Sequence, residues 1–154
     1  MSDFITLSLD VMSGEKDPEA SIIAALNLLE IREDLRIILV GNEDIIEKLT
    51  SGKTNDRLQI LHAKDIVQMS DSPVVVLRQK KKSSMRLAVN LVRDGVAQAC
   101  VSSGNTGALM AISKYALKTI PTIYRPALMT SIPTIKGSTY LLDLGANSSC
   151  TPEQ

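Results

Sequence analysis

The 154-residue sequence is poor in the side chains that build several common kinds of functional site. Aromatic residues make up 3% of it and tryptophan is absent, so it offers no stacking platform for single-stranded nucleic acid. Lysine plus arginine and aspartate plus glutamate number 17 each, and this zero formal charge gives no general attraction to nucleic acid. One histidine and two cysteines are too few for a plausible zinc site or a disulfide scaffold.

The sequence also lacks the segments and motifs that mark other classes of protein. Residues 1–4 show neither the basic start nor the apolar core of a signal peptide, and no apolar run approaches the roughly 20 residues of a transmembrane helix. We therefore expect a cytoplasmic protein. The patterns G-x-G-x-x-G, G-x-x-x-x-G-K-[ST] and G-x-S-x-G are missing, so dinucleotide binding, P-loop hydrolysis and serine hydrolysis are unsupported.

Hydrophobic residues supply 44% of the chain, and their spacing alternates between the periods of strand and helix. Strands are predicted over residues 4–9, 35–40, 58–61, 96–101, 127–132 and 139–142. Helices are predicted over residues 18–29, 43–49, 83–93 and 105–118. This alternation, with several strands that are near-continuous aliphatic runs, indicates an α/β fold with a mostly parallel sheet and helices on both faces.

The last four residues predict that this fold is incomplete. Thr151-Pro152-Glu153-Gln154 has a capping threonine, a proline at the first helical position and a glutamine at the third, which is typical of a helix start. We therefore expect residues 1–154 to be the N-terminal part of a larger α/β domain whose C-terminal half is absent.

An anion site is predicted where the apolar strand 96–101 runs through a short polar loop into a helix. The first N–H groups of a helix lack intrahelical partners and lie at the positive end of its dipole, so they attract phosphate or carboxylate. Glycine allows close backbone approach, and asparagine or threonine can cap the helix, although ordinary turns use the same residue types. The candidate phosphate-binding residues here are Ser102, Gly104, Asn105, Thr106 and Gly107.

A basic run, residues 78–86, immediately precedes the predicted helix 83–93 and holds five cations and no acid. Cations at a helix N-terminus oppose its dipole, so their presence favours a site that concentrates positive potential for an anion. A solvated basic loop is the alternative. Ser83 and Ser84 are suited to cap the helix or to donate to a phosphate oxygen.

Other polar side chains follow the ends of predicted strands, where ligands bind in parallel α/β sheets. Asp10 and Asp143 can orient a nucleophile, act as a general base or tether loops. Asn147 can donate to an oxyanion. Arg125 can point toward an anion or lie on the surface.

Five short motifs occur in order along the chain. They are Leu9-Asp10-Val11-Met12, residues 78–85, Ser102 to Ala108, Arg125-Pro126-Ala127 and Asp143-Leu144-Gly145-Ala146-Asn147. The ordered set resembles the phosphate acyltransferase (PlsX) family of bacterial phospholipid synthesis over essentially the whole chain. The resemblance implies transfer of a fatty acyl group from acyl carrier protein to inorganic phosphate, which gives acyl phosphate. A non-catalytic module that binds phosphate or carrier protein, and a truncated structural remnant, are the alternatives.

The resemblance carries further expectations about fold and assembly. It implies a fold similar to isocitrate and isopropylmalate dehydrogenases, a homodimer, and peripheral association with the cytoplasmic membrane face through the missing half. It implies no organic cofactor, and no metal is expected. Ser13 stands where the family usually has the first of two glycines.

Residues and resemblance together predict how the reaction is catalysed. The loop N–H groups, with Asn105 and Thr106, hold phosphate near the thioester carbonyl, while Lys82 and Ser84 supply a charge and a hydroxyl. Asp10 or Asp143 orients these donors, and Asn147 stabilises the oxyanion. No covalent acyl-enzyme is expected, because burial of Cys100 in its strand would raise the pKa of the thiol.

Overall fold

The computed structural model describes residues 4–15, 17–124 and 126–142. The chain divides into two units, Met1–Leu117 and Lys118–Gln154. The described part of the first unit forms strands β1 (Ile5–Asp10), β2 (Leu35–Gly41), β3 (Leu58–His62) and β4 (Ala99–Ser102). Its helices are α1 (Pro18–Ile31), α2 (Glu43–Thr50), α3 (Pro73–Gln79), α4 (Ser84–Arg93) and α5 (Thr106–Leu117).

The four strands form one parallel sheet in the order β3-β2-β1-β4, with helices packed on it. This confirms the predicted α/β class and parallel pairing. Among the described helices, none is both long enough and apolar enough to cross a bilayer.

Strand β2 shows why the sheet is covered on both faces. Ile37 and Leu39 belong to one core cluster with the inner side of α1 and with α2, whereas Ile38 and Val40 pack in another with Ala88 of α4. All four side chains are buried because successive residues of a strand point to opposite faces. A run of four consecutive aliphatic residues, Ile37 to Val40, is therefore what this central strand requires.

Strand β1 buries polar residues more completely than its apolar ones. Ser8 and Asp10 are buried, while Leu7 and Leu9 on the opposite face are half-buried. The Ser8 hydroxyl is hydrogen-bonded to the carbonyl of Ala88 in α4, at 2.8 Å, which satisfies it on the covered face. The polar face of β1 is therefore turned toward α4, and Asp10 lies on this face at the carboxyl end of the strand.

Side-chain caps decide where the principal helices begin. Asp17 accepts the N–H of Glu19 before Pro18 opens α1, and Ser83 accepts the N–H of Arg86 at the start of α4. The predicted capping role of Ser83 is confirmed.

Helix α3 was not predicted. Ser72 caps it and Pro73 occupies its first turn, which are ordinary start signals. Three consecutive β-branched residues follow, Val74, Val75 and Val76, and their stiff side chains disfavour a helix locally. The burial of Val76 against α5 outweighs that preference.

The predicted strand 96–101 starts too early and ends one residue short. The N–H groups of Val96 and Ala97 both donate to the carbonyl of Leu91, which closes the turn after α4. The ladder with β1 therefore begins only at Ala99, and it extends through Ser102, which pairs with Asp10.

The second unit contains a hairpin of strands β5 (Met129–Thr134) and β6 (Gly137–Leu142). Strands were predicted at 127–132 and 139–142, within a mostly parallel sheet, and neither joins the four-stranded parallel sheet. The two pair with each other as a separate antiparallel sheet. Two residues join them, and such a short connection can link only antiparallel strands.

We expect Leu39→Ala to lower the free energy of unfolding by about 2–5 kcal/mol, because it leaves a cavity in a fully buried strand. Ile31→Ala on α1, whose side chain is 77% exposed, should change it by less than about 0.5 kcal/mol. Urea denaturation of the two variants and the parent chain measures both values. Equal losses would contradict the assigned core.

Candidate anion site

The carboxylate of Asp10 organises the loops at the carboxyl end of the sheet. Its Oδ1 accepts the N–H groups of Met12 and Ser13, at 3.3 and 3.2 Å, and its Oδ2 accepts the hydroxyl of Ser102 at 2.7 Å. The residue is 1% exposed, so these donors replace the water that a buried carboxylate would otherwise need. Asp10 thus joins the loop after β1 to the loop after β4.

These two loops approach each other more closely than side chains would allow. A Cβ built on Gly104 would lie 2.5 Å from the Cβ of Ser13 and 2.7 Å from the Cε of Met85. Across the same contact, Ser103 donates its hydroxyl to the carbonyl of Ser13 at 3.1 Å. Gly14 has a φ of +140°, a conformation that favours glycine. Gly104 is therefore required by packing.

Asn105 is the N-cap of α5. Its Oδ1 accepts the N–H of Ala108 at 3.0 Å, and its Nδ2 donates to the carbonyls of Met69 and Asp71 at 2.8 and 2.9 Å. The whole amide is thereby engaged within the protein. The N–H groups of Thr106 and Gly107 have no hydrogen-bond partner among the described residues, so they are the donors that α5 presents to an anion.

A cleft of about 600 Å³ lies beside this helix start. Its walls are the loop after β1, the first turns of α1, the start of α5 and Met69. The lining residues are Val11, Ser13, Glu15, Ala20, Ser21, Ala24, Met69, Ser103, Gly104 and Thr106. Glu15 is the charged member of this set and repels anions, so the α5 end of the cleft is the end suited to a phosphate.

Ser13 brings a buried hydroxyl to this cleft. The residue is 3% exposed, and its Oγ has no hydrogen-bond partner among the described residues. Leaving a buried hydroxyl unsatisfied costs about 1–3 kcal/mol, so such groups call for explanation where they occur.

The basic run does not act as one block. Lys80 is half-buried and its Nζ binds the carboxylate of Asp71 and the carbonyl of Ile66, while Arg86 stacks on the ring of Tyr115 with 4.6 Å to the centroid. The Lys80 ammonium holds the pKa of Asp71 below its usual range, so the pair stays charged at neutral pH.

The two predicted ligands from this run lie in different environments. Lys82 is exposed and its ammonium is not part of the cleft lining, as the described residues form it. Ser84 is fully buried, and its Oγ lacks a partner within the described part of the chain. Their roles toward phosphate stay predictions. Asp143, Asn147 and Arg125 lie outside the described residues.

The thiol of Cys100 is unsuited to be a nucleophile. Its pKa is raised to about 11, mainly by burial and further by the nearby Asp10 carboxylate, while a hydrogen bond with Ser8 acts in the opposite direction. Within residues 4–15, 17–124 and 126–142, no three His, Cys, Asp or Glu side chains are placed to share a metal ion.

Sequence reasoning missed several residues of this site: Ser13, Met69, Asp71, Lys80 and Ser103. Lys80 pairs with Asp71, nine residues away. The composition of the basic run does not distinguish Lys80 from its exposed neighbours. Ser13 and Ser103 adjoin residues that were chosen, and pairing of β1 with β4 would have pointed to both. Met69 carries no sequence signal of a cleft wall.

Comparison with known proteins now decides the family. A profile of the family described as "Fatty acid synthesis protein" matches residues 5–154. The chain belongs to this family. It is similar to the phosphate acyltransferase of Methylococcus capsulatus, at 50% identity over 151 residues, and to those of Shewanella woodyi and Shewanella sediminis, at 51% and 52% over 153 residues. The predicted resemblance to phosphate acyltransferases is confirmed.

The matches cover almost all of this chain but less than half of each relative. They span 96–97% of the chain and 44–45% of the three relatives. Activities named for those longer proteins therefore come to this chain only as proposals.

We expect Gly104→Ala to lower the free energy of unfolding by about 1–3 kcal/mol, since the new Cβ collides with Ser13 and Met85. Gly107→Ala is the matched control. Its Cβ would meet neighbours at 3.5 Å, an ordinary contact, and alanine favours a helix by up to about 1 kcal/mol. Urea denaturation should show opposite signs, and a tolerated Gly104→Ala would refute the close loop contact.

In a Cys150→Ser background, where Cys100 is the remaining thiol, alkylation by iodoacetamide should rise with pH through about 11. The reason is that the thiolate is the reactive form, and burial disfavours it. Rates measured by mass spectrometry between pH 7 and 11 test this. A plateau reached near pH 8 would show an ordinary exposed thiol instead.

Proposed function

We propose that this chain is the N-terminal part of an enzyme that transfers a fatty acyl group from acyl carrier protein to inorganic phosphate. Membership of the fatty acid synthesis family and about 50% identity to phosphate acyltransferases support the acyltransferase role. The carrier-protein donor and phosphate acceptor are the finer part of the proposal.

The observation that carries the proposal is the start of α5. Among the described residues, the backbone N–H groups of Thr106 and Gly107 have no partners, and Thr106 lines the cleft together with Ser13. A helix of twelve residues adds the positive end of its dipole at the same point. This arrangement suits a small oxyanion such as phosphate.

The proposed chemistry needs positioning more than a reactive protein group. A phosphate oxygen attacks the thioester carbonyl carbon, a tetrahedral oxyanion forms, and the C–S bond breaks to give acyl phosphate and the carrier thiolate, which takes a proton from water. Holding phosphate beside the carbonyl removes much of the entropic part of the barrier. No acyl-cysteine intermediate is involved, in keeping with the raised pKa of Cys100.

The role of Asp10 follows from its surroundings, and the roles of the other residues rest on the sequence pattern and the family resemblance. Asp10 is a positioning residue that fixes Ser102 and the N–H groups of the loop after β1. Lys82 and Ser84 are proposed to add charge and a hydroxyl to the phosphate, and Asp143 and Asn147 to orient donors and stabilise the oxyanion.

Assembly and location are also part of the proposal. We infer a complete sheet of the isocitrate and isopropylmalate dehydrogenase type, of which the four parallel strands would be one part. A homodimer in the cytoplasm, with peripheral contact to the membrane through the remainder of the longer protein, fits an enzyme with a lipid product.

The proposal is tested by Thr106→Asp. A carboxylate at the first position of α5 favours the helix dipole, so stability should be unchanged or slightly higher. It also puts a negative charge where phosphate would bind, so the Kd of this chain for inorganic phosphate should rise about tenfold or more, equal to ~1.4 kcal/mol. Thr106→Asn is the neutral control of the same shape and should shift the Kd less than about threefold.

Catalysis is measured in a hybrid whose remaining length comes from the Methylococcus capsulatus relative. Acyl phosphate formation from acyl carrier protein should show the same ranking of Thr106 variants in the KM for phosphate. Phosphate binding without thioester consumption would identify a binding module. Equal phosphate affinity of the Asp and Asn variants would remove the α5 site.

A further inference from the structure

We propose that Asp71, Lys80 and Asn105 are positioning residues that hold a strap, residues 66–72, against the start of α5, so that Met69 forms one wall of the anion cleft. The inference rests on the proposed function for the identity of the ligand. The arrangement of the strap itself stands on contacts within the protein.

The strap is fastened along its length. Val67 is 1% exposed and packs in the core with Val76 of α3 and Met85 of α4, while Met69, two residues on, is 45% exposed and lines the cleft. The chain between them turns from the core to the surface. Its backbone geometry therefore decides how far Met69 reaches over the cleft.

Lys80 binds two residues of the strap and holds it to the end of α3. Its Nζ lies 2.7 Å from the carbonyl of Ile66 and 2.5 Å from Oδ2 of Asp71, and the same Oδ2 accepts the N–H of Gln68 at 2.7 Å. The two charged side chains are 24% and 18% exposed, compared with 50% and 45% for Arg32 and Asp34. This pair is thus more sheltered, and it joins the end of α3 to the strap.

Asn105 holds the strap to the start of α5. Its Nδ2 holds the carbonyls of Met69 and Asp71, while its Oδ1 caps α5. One amide therefore fixes both the cleft wall at Met69 and the helix end at Thr106, which also lines the cleft. Asn105 was predicted to hold phosphate itself, but in this arrangement all its polar atoms serve to position other groups.

A salt bridge near the surface contributes little to stability by itself. The Asp71–Lys80 pair is important because it holds the strap in place. Methionine is flexible and adapts to many surfaces, so Met69 needs a fixed backbone if it is to form a defined wall. The strap supplies that backbone.

The experiment uses this chain with 13C-labelled methionine methyl groups and the variants Lys80→Met and Asn105→Ser. Serine keeps a capping oxygen but removes the two amide donors. We expect each variant to shift the Met69 methyl resonance and to speed hydrogen exchange at the Gln68 and Asp71 amides at least tenfold. The Kd for inorganic phosphate should rise about threefold or more.

Arg32→Met is the matched control, because it breaks an ion pair on the surface that lies outside the cleft lining. It should leave the methyl signal, the exchange rates and the phosphate Kd unchanged. Lys80→Arg keeps the charge and should restore most of the amide protection, which also covers the case in which Lys80→Met fails to fold. Lys80 and Asn105 hold the same strap. The double variant Lys80→Met/Asn105→Ser should therefore lose less amide protection than the sum of the losses in the two single variants.

The outcomes separate this proposal from the proposed function. Failure of the parent chain to bind phosphate would count against the anion site, while the methyl signal and exchange rates would still decide the strap. The strap proposal is overturned if Lys80→Met and Asn105→Ser leave these two readouts as Arg32→Met does, or, where Lys80→Met does not fold, if Asn105→Ser alone does so.

Discussion

One buried carboxylate sets the geometry at the functional end of this protein. Asp10 ends β1 and accepts three hydrogen bonds, two from its own loop and one from Ser102 on the neighbouring strand. A carboxylate removed from water needs such donors, so the two loops are drawn together by the requirement to satisfy it. The contact between Ser13 and Gly104, and with it the cleft, follows from that requirement.

The start of α5 depends on this contact. Gly104 packs under Ser13 without room for a side chain, which fixes the backbone that leads into Asn105 and the helix. Among the described residues, the N–H dipoles of Thr106 and Gly107 have no partner, and Thr106 lines the cleft together with Ser13. Such preorganised dipoles act without moving, and this is the property that catalysis of group transfer requires.

Much of the fold was predictable from the sequence, because long aliphatic runs and capping residues report local structure directly. Strands β1 to β3 and helices α1, α2, α4 and α5 were placed within a few residues. Helix α3 was missed, since its three valines disfavour a helix and only the tertiary burial of Val76 compensates. Strands β5 and β6 were predicted without their antiparallel pairing, since strand patterns do not specify a partner.

The site was harder to predict than the fold. The loop 102–107 was found because glycines and a capping asparagine have local signatures. Lys80 shows the limit, as side chains in a run of like charge are distinguished only by what the distant parts of the chain bring near them. Contacts such as that between Asn105 and Met69 join residues 36 positions apart, and no local pattern encodes them.

Asn105 also constrains how this loop can vary. At most helix starts aspartate, serine and asparagine are interchangeable, because each supplies the accepting oxygen. Here the opposite end of the side chain must donate twice, and only a carboxamide of this length does both. Aspartate would place its second oxygen against two carbonyl oxygens. This helix cap is therefore restricted to asparagine, because Nδ2 must donate to two carbonyl oxygens while Oδ1 accepts the capping N–H.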